Sequence, residues 1–192
     1  MRRRAFLLAS TLAIPSLLVL SPRAEALTAR LLTLDELVEQ STYVVVGTAG
    51  EHRSLWEDMP TGRRIVTYTR VAVERAVVGA PGSELWVRTL GGAVDKIGQA
   101  VPGEAQLTTG QRSLLFLYQG KSAVVVTAMS QGHFPIVADD KGVDRLASSP
   151  ELGMLVARLG PSISARDVLL GAAVEDAAVT IQRTRKAHDE SK

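Results

Sequence analysis

Residues 65–78 read IVTYTRVAVERAVV, a stretch in which apolar and polar residues alternate. Ile65, Val71 and Val77 lie on one face of an extended chain, whereas Arg70 and Glu74 lie on the other. This alternation, with a period of two, is typical of a strand that buries one face. The stretch therefore predicts one long β-strand.

The next strand toward the N-terminus is a continuous β-branched run. Residues 43–47 read YVVVG, a composition that favours a strand covered on both faces. Between the two strands, residues 51–62 are mostly polar and contain Pro60 and Gly62. We therefore predict a loop there.

Further strand patterns follow toward the C-terminus. Residues 119–122, which include Gly120, are suited to a hairpin connection between two of them. Five or six strands separated by turn residues indicate a mainly β protein, either a small barrel or a sandwich. The predicted strands are residues 85–90, 113–118, 123–129 and 134–137.

Helical patterns flank the strands. Thr33 and Glu36 form a capping box that predicts a short N-terminal helix. Ser164 and Asp167 form a second box, and an apolar stripe from Leu170 onward predicts a C-terminal helix over residues 164–187. We expect this helix to pack on the barrel, with docking in a partner's groove as the alternative. The predicted β-barrel domain spans residues 27–138, and residues 139–163 are a predicted linker with one helical turn around residues 152–159.

The first 26 residues have the pattern of an export signal. Arg2, Arg3 and Arg4 precede a mostly apolar run over residues 6–20, and AEA at residues 24–26 matches a signal peptidase site. We predict cleavage after Ala26 and a periplasmic or extracellular protein without a stable membrane anchor. An uncleaved anchor is the alternative, but the apolar run is short for a membrane span. RRAFL also fits a twin-arginine signal, so both the Sec and the twin-arginine routes stay open.

Composition excludes several classes of function. The chain has no cysteine, which excludes disulfides, thiolate zinc sites, a cysteine nucleophile and a lipoprotein anchor. Removing residues 1–26 leaves 18 basic and 19 acidic residues, so the net charge of +2 becomes −1. With few aromatic residues and no basic excess, a nucleic-acid partner is not predicted.

No residue pattern indicates a catalytic or metal site. His52, His133 and His188 have no second histidine at the spacing of metal ligands, so we predict neither a metal nor another cofactor. A G-x-S-x-G elbow, a P-loop and an acid–base carboxylate pair are also missing from the sequence.

A glycine-rich segment is the strongest candidate for a binding surface. Residues 91–111 contain five glycines and Pro102 and predict a long loop, and long loops often carry function. Trp56, in the predicted 51–62 loop, is a candidate anchor, with packing over the barrel mouth as the alternative. The predicted binding residues are Trp56, Gly91, Gly92, Asp95, Lys96, Gln99, Gln131 and His133.

The order of motifs over residues 31–137 resembles a family of exported bacterial proteins, common in myxobacteria, that carry no established function. The motifs are DELVEQS, YVVVG, YTRVAVERAVVGAPGSELWVR, GGAVDKIGQAVPG, LTTGQRSLLFL and AMSQGHFPI. The strand pattern also resembles the oligonucleotide/oligosaccharide-binding-type (OB-type) barrel of netrin-like domains and of tissue inhibitors of metalloproteinases. This resemblance implies an OB-like barrel. The zinc-chelating N-terminal cysteine of the inhibitors has no counterpart here, so their mechanism is not carried over.

Three functional hypotheses follow. The preferred one is a non-enzymatic binding or accessory protein of the cell envelope, with another envelope or secreted protein as its partner. A protease inhibitor or protease-associated protein is the alternative that the fold resemblance implies. An enzyme with an unrecognised site is the third, and its candidate residues are Asp95, Lys96, Gln99 and His133.

Overall fold

A computed structural model describes residues 30–152 and 162–191. The predicted export signal and most of the predicted helical turn at residues 152–159 lie outside the described residues. The elements in chain order are α1 (Leu34–Glu39), β1 (Tyr43–Met59), β2 (Gly62–Val78), β3 (Glu84–Leu90), β4 (Gly92–Val94), β5 (Ile97–Gln99), β6 (Arg112–Gln119), β7 (Val124–Val126), a 3₁₀ helix (Met129–Gly132), β8 (His133–Ala138), β9 (Asp144–Leu146), α2 (Ala165–Leu169) and α3 (Val174–Glu190).

Five strands close into a barrel. The antiparallel pairs are β1 with β2, β2 with β3, β6 with β7, and β6 with β1, while β3 and β7 run parallel. Each of these strands therefore has a neighbour on both sides, in the order β1-β2-β3-β7-β6-β1. Strands β8 and β9 continue the sheet outward from β6. The predicted mainly β fold, a small OB-like barrel or sandwich with a helix at each end, is confirmed, and the closed ring of strands shows that it is a barrel.

The strands bury apolar side chains on both faces. Val45 and Leu115 belong to the core inside the barrel. Their neighbours Val44, Val46 and Phe116 belong to a second core, which lies between the sheet and the helices. Continuous apolar runs in β1 and β6 follow from this double coverage, as predicted for YVVVG.

Residues 51–62 form the distal part of a hairpin, and the prediction of a loop was wrong. Strand β1 continues to Met59, pairs with β2 as far as Gly62, and turns at residues 60–61. A hairpin that projects beyond the barrel is partly solvated, so its strands carry polar residues such as Glu57 and Arg64 and resemble a loop in composition.

The 91–111 segment is also more ordered than predicted. Strands β4 and β5 form a separate two-stranded hairpin, with Asp95 in the left-handed conformation at its turn. This small hairpin lies against β1 and β2. The glycines in this segment concealed the short strand pattern.

The C-terminal segments differ from prediction in two respects. Residues 144–146 of the predicted linker form strand β9, which pairs with β8. The predicted single helix is two helices, α2 and α3, because Gly171 takes a left-handed conformation (φ +77°) that ends the first one. Both predicted capping boxes form. Ile181 of α3 packs with Leu37 of α1 in the core between sheet and helices.

Candidate functional site

A polar cavity of about 400 Å³ opens at the mouth of the barrel. It lies where the β1–β2 hairpin, the end of β3 and residues 91–107 meet. Four hydroxyl side chains contribute to its wall, together with the carboxyl group of Glu104. The four are Ser54, Thr67, Thr69 and Thr89.

These hydroxyls continue the inward-facing rows of the barrel. Along β2, Thr67 and Thr69 precede Val71 at alternate positions, so all three face the same side. On β3, Thr89 stands in the same relation to Val87. Val71 and Val87 are completely buried in the barrel core. The barrel interior therefore changes from apolar to hydroxyl-lined toward its mouth.

Two of the hydroxyls are hydrogen-bonded to each other and one is free. The Ser54 hydroxyl lies 2.8 Å from that of Thr67, which in turn donates to the carbonyl of Gly91 at 2.7 Å. Within the described ranges, no residue forms a hydrogen bond with the Thr69 hydroxyl. The cavity wall therefore offers a hydrogen-bonding group that the fold does not use.

Glu104 provides the buried acid of the cavity. The residue is only 8% exposed. Burial is the largest effect on its carboxyl group and raises the pKa, although the amides of Ala105 and Leu90 and the charge of Arg88 act in the opposite direction. A buried carboxyl group can hydrogen-bond to a hydroxyl, and in its ionised form it attracts a cation and repels an anion.

Gly91 and Gly92, two of the predicted binding residues, line this cavity through their backbones. Both have positive φ angles, +91° and +124°. A β-carbon on Gly92 would lie 2.2 Å from the Thr67 hydroxyl and 2.6 Å from that of Ser54. The glycine pair therefore lets the backbone pass close to the hydroxyls. A strand follows the pair and not a helix, so the helix N-terminus that binds phosphate in a P-loop is missing here.

The other residues predicted in this region have separate positions. Gln99 lines the cavity, but its side-chain oxygen already accepts a hydrogen bond from the amide of Ile65 at 2.9 Å. Asp95 and Lys96 form the turn between β4 and β5 and do not line the cavity. Trp56 is half-buried in β1, with the Arg63 guanidinium 5.3 Å from its ring centroid.

His133 and Gln131 belong to a different part of the molecule. The imidazole of His133 lies 3.1 Å from the Ser113 hydroxyl and 3.2 Å from that of Ser149. Gln131 accepts from the amide of Leu32 and donates to the carbonyl of Arg30. The cavity beside them measures about 10 Å³, which is too small for a ligand. Both side chains therefore connect structural segments.

Gly91, Gly92 and Gln99 of the cavity wall were predicted as site residues, but its hydroxyl side chains and Glu104 were not. Thr67 and Thr69 interrupt the face of β2 on which Ile65 and Val71 lie, and this interruption was visible in the sequence. Nothing comparable marked Glu104, which precedes Ala105 in a segment without a clear period. No cluster of three or more potential metal ligands exists within the described part of the chain.

The comparisons with known proteins found no match, so this protein is described by its fold and its cavity. No protein-family model matches the chain, and no curated protein is significantly similar to it. The fold and the cavity define a small OB-like barrel protein with a polar mouth. Among the described residues, no helix is long and apolar enough to cross a membrane.

His133 is expected to make the protein less stable in acid. Burial lowers its pKa from 6.5 to about 4, so the unfolded chain binds the proton more tightly than the folded one. The stability associated with neutral His133 is therefore complete above pH 6.5 and is lost as the pH falls toward 4, by about 3 kcal/mol at most. Urea unfolding between pH 7 and pH 4 measures this loss.

A His133→Gln variant should lose this part of the pH dependence, although it is less stable at pH 7. His52→Gln, at an exposed position, is the control for the histidine-to-glutamine substitution itself. Equal slopes in the parent and the His133→Gln variant would contradict the expectation. Carboxyl groups such as Glu104 cancel because each comparison is between variants.

Proposed function

We propose that this protein is a non-enzymatic binding module that holds a small polar group in the cavity at the barrel mouth. The observation that carries the proposal is that hydroxyl side chains occupy inward-facing positions of β2 and β3, where apolar side chains are expected. A barrel of this size ordinarily fills its interior with apolar side chains. The mouths of β-barrels are among the preferred sites of ligand cavities.

The wall chemistry indicates which ligands fit. Hydroxyl groups both donate and accept hydrogen bonds, and the Thr69 hydroxyl has no partner among the described residues. Glu104 lines the cavity, and its carboxyl group accepts hydrogen bonds from ligand hydroxyl or ammonium groups and in its ionised form repels anions. The ligand is therefore an uncharged or cationic group with several hydroxyls or amines, of the size of a mono- or disaccharide.

The position of the cavity agrees with the use of this barrel type in general. OB-type barrels bind oligonucleotides and oligosaccharides at strands 2 and 3 and the adjoining loops. Strands β2 and β3 and the β1–β2 hairpin bound the present cavity. This analogy is at the level of the fold alone, and it is the chemistry of the cavity wall that favours a ligand.

The binding module works outside the cytoplasm in this proposal, and its ligand is displayed by another envelope or secreted molecule. The support is the export-signal pattern of residues 1–26. Mass spectrometry of the protein recovered from the periplasm or the medium is expected to give Leu27 as the N-terminal residue. Recovery with Met1 intact in the membrane fraction would contradict it.

Binding is tested with a panel of neutral saccharides, amino sugars and the sugar acid glucuronate, measured by isothermal titration calorimetry. We expect a neutral or amino sugar to bind and glucuronate not to bind. Thr69→Val is then expected to weaken binding about tenfold, because one hydrogen bond to the ligand is lost. Folding stability should not decrease, since the Thr69 hydroxyl bonds to no described residue.

Thr127→Val is the matched control. Thr127 is also buried, but its hydroxyl bonds to that of Ser41 at 2.9 Å, outside the cavity. This variant should lose stability and keep the affinity of the parent protein. The proposal fails if no member of the panel binds, or if Thr69→Val binds the ligand as tightly as the parent does.

A further inference from the structure

Strand β1 has an open edge along its distal half. It pairs with β6 only from Tyr43 to Thr48, whereas its pairing with β2 continues to Met59. Residues 51–59 therefore have a strand partner on one side only among the described residues. The backbone groups that point away from β2 form a row of unpaired donors and acceptors, which is a template for another strand.

Charged residues occupy this edge, and they usually prevent pairing with arbitrary strands. Arg53 and Asp58 are exposed, and Leu55 lies between them at the middle of the segment. An edge that carries charge of both signs accepts a partner only where opposite charges meet. The order of the charges therefore defines the partner.

The segment is complementary to a second copy of itself. When two copies pair antiparallel about Leu55, each Arg53 lies opposite the partner's Glu57, and each His52 lies opposite the partner's Asp58. Leu55 then lies opposite its own copy on the two-fold axis. This register places Arg53 opposite the Glu57 carboxylate, which within its own chain also pairs with Arg88 and accepts a hydrogen bond from Tyr68. It also places an apolar pair at the centre.

We propose that the protein forms a homodimer through antiparallel pairing of the distal β1 edges, centred on Leu55. The two sheets join into one continuous sheet across the axis. Because the two-fold axis of such a pair is perpendicular to the sheet, both barrel-mouth cavities lie on the same side of the dimer. The proposal depends on the edge and its charges and not on the occupancy of the cavity.

A cysteine cross-link tests the register directly. The chain contains no cysteine, so a single Leu55→Cys substitution introduces one thiol per copy. Directly opposed residues of antiparallel strands are within the Cα separation that a disulfide spans. Mild oxidation of the purified full-length protein is expected to convert Leu55→Cys to a covalent dimer. Tyr118→Cys, at a position 51% exposed on β6, is the control and should remain monomeric.

Sedimentation equilibrium measures the same association without a cross-link. We expect a concentration-dependent dimer for the parent protein and a dissociation constant about tenfold higher for Arg53→Glu, which places like charges opposite each other twice per dimer. Arg183→Glu, an equal change of charge on the exposed face of α3, should leave the constant unchanged.

Three outcomes overturn the proposal. A parent protein that stays monomeric at millimolar concentration has no such interface. Equal cross-linking of Leu55→Cys and Tyr118→Cys shows random collision. A dimer that Arg53→Glu does not weaken uses another surface.

Discussion

Replacing Val45 by aspartate is expected to unfold the protein. Val45 is completely buried in the barrel interior, where it pairs with Leu115 of β6. No lysine or arginine of the described residues is among the buried residues, so the carboxylate would be buried without a partner. The expected loss is at least about 4 kcal/mol, which is a large part of the total stability of a domain of this size.

Circular dichroism during heating and in urea measures the effect. The cooperative transition should disappear or shift far below that of the parent protein, and Leu115→Asp should behave in the same way. Val137→Asp is the control, because Val137 lies on β8 with 53% of its surface exposed. An unchanged melting temperature for Val45→Asp would show that β1 does not form the barrel wall.

Replacing Gly92 by alanine is expected to have the second-largest effect. The new methyl group would overlap the hydroxyls of Thr67 and Ser54, and the φ angle of +124° is itself unfavourable for a side chain. We expect a loss of about 3–5 kcal/mol from the two effects together. Because the displaced hydroxyls belong to the cavity wall, the affinity for a bound saccharide should decrease as well.

Gly110→Ala separates the two causes. Gly110 has a φ angle of +82°, but no atom lies within 4 Å of the position of an added β-carbon. This variant should therefore lose only about 1–2 kcal/mol, the cost of the backbone conformation. If urea unfolding gives the same loss for both variants, the collision at Gly92 is not present in solution.

Val45 and Gly92 mark two different parts of the barrel interior. Val45 lies in the apolar part, where buried side chains maintain the fold. Near Gly92 the interior is lined with hydroxyls and encloses space, which lowers the apolar area buried there. The protein has fewer apolar contacts at the barrel mouth, but it has a second apolar core between the sheet and the helices, where Phe116 and Ile181 pack.

The sequence was sufficient to predict the parts of the fold that depend on local pattern. The valine run at residues 43–47 predicted a strand covered on both faces, since only such a strand has no polar face. Thr33 and Ser164 predicted the starts of helices, because a capping box is made within four residues. The alternation over residues 65–78 predicted β2 for the same reason.

The polar composition of residues 51–62 led to the wrong prediction of a loop, because solvent exposure made strand residues polar. Residues 51–62 are polar because they project from the barrel, yet they form a hairpin because β2 supplies a continuous set of cross-strand partners. The export signal and the resemblance to exported bacterial proteins remain predictions from the sequence alone.

Local patterns were therefore enough to predict the class of fold and those strand and helix starts that need only neighbouring residues. The closure of the barrel by β3 and β7, the burial of Glu104 beside four hydroxyls, and the separation of His133 from that cavity became visible in three dimensions. They depend on contacts between residues far apart along the chain. Ser54, Thr89 and Glu104 meet through strand pairing and packing, and no local pattern encodes which distant residues will be neighbours.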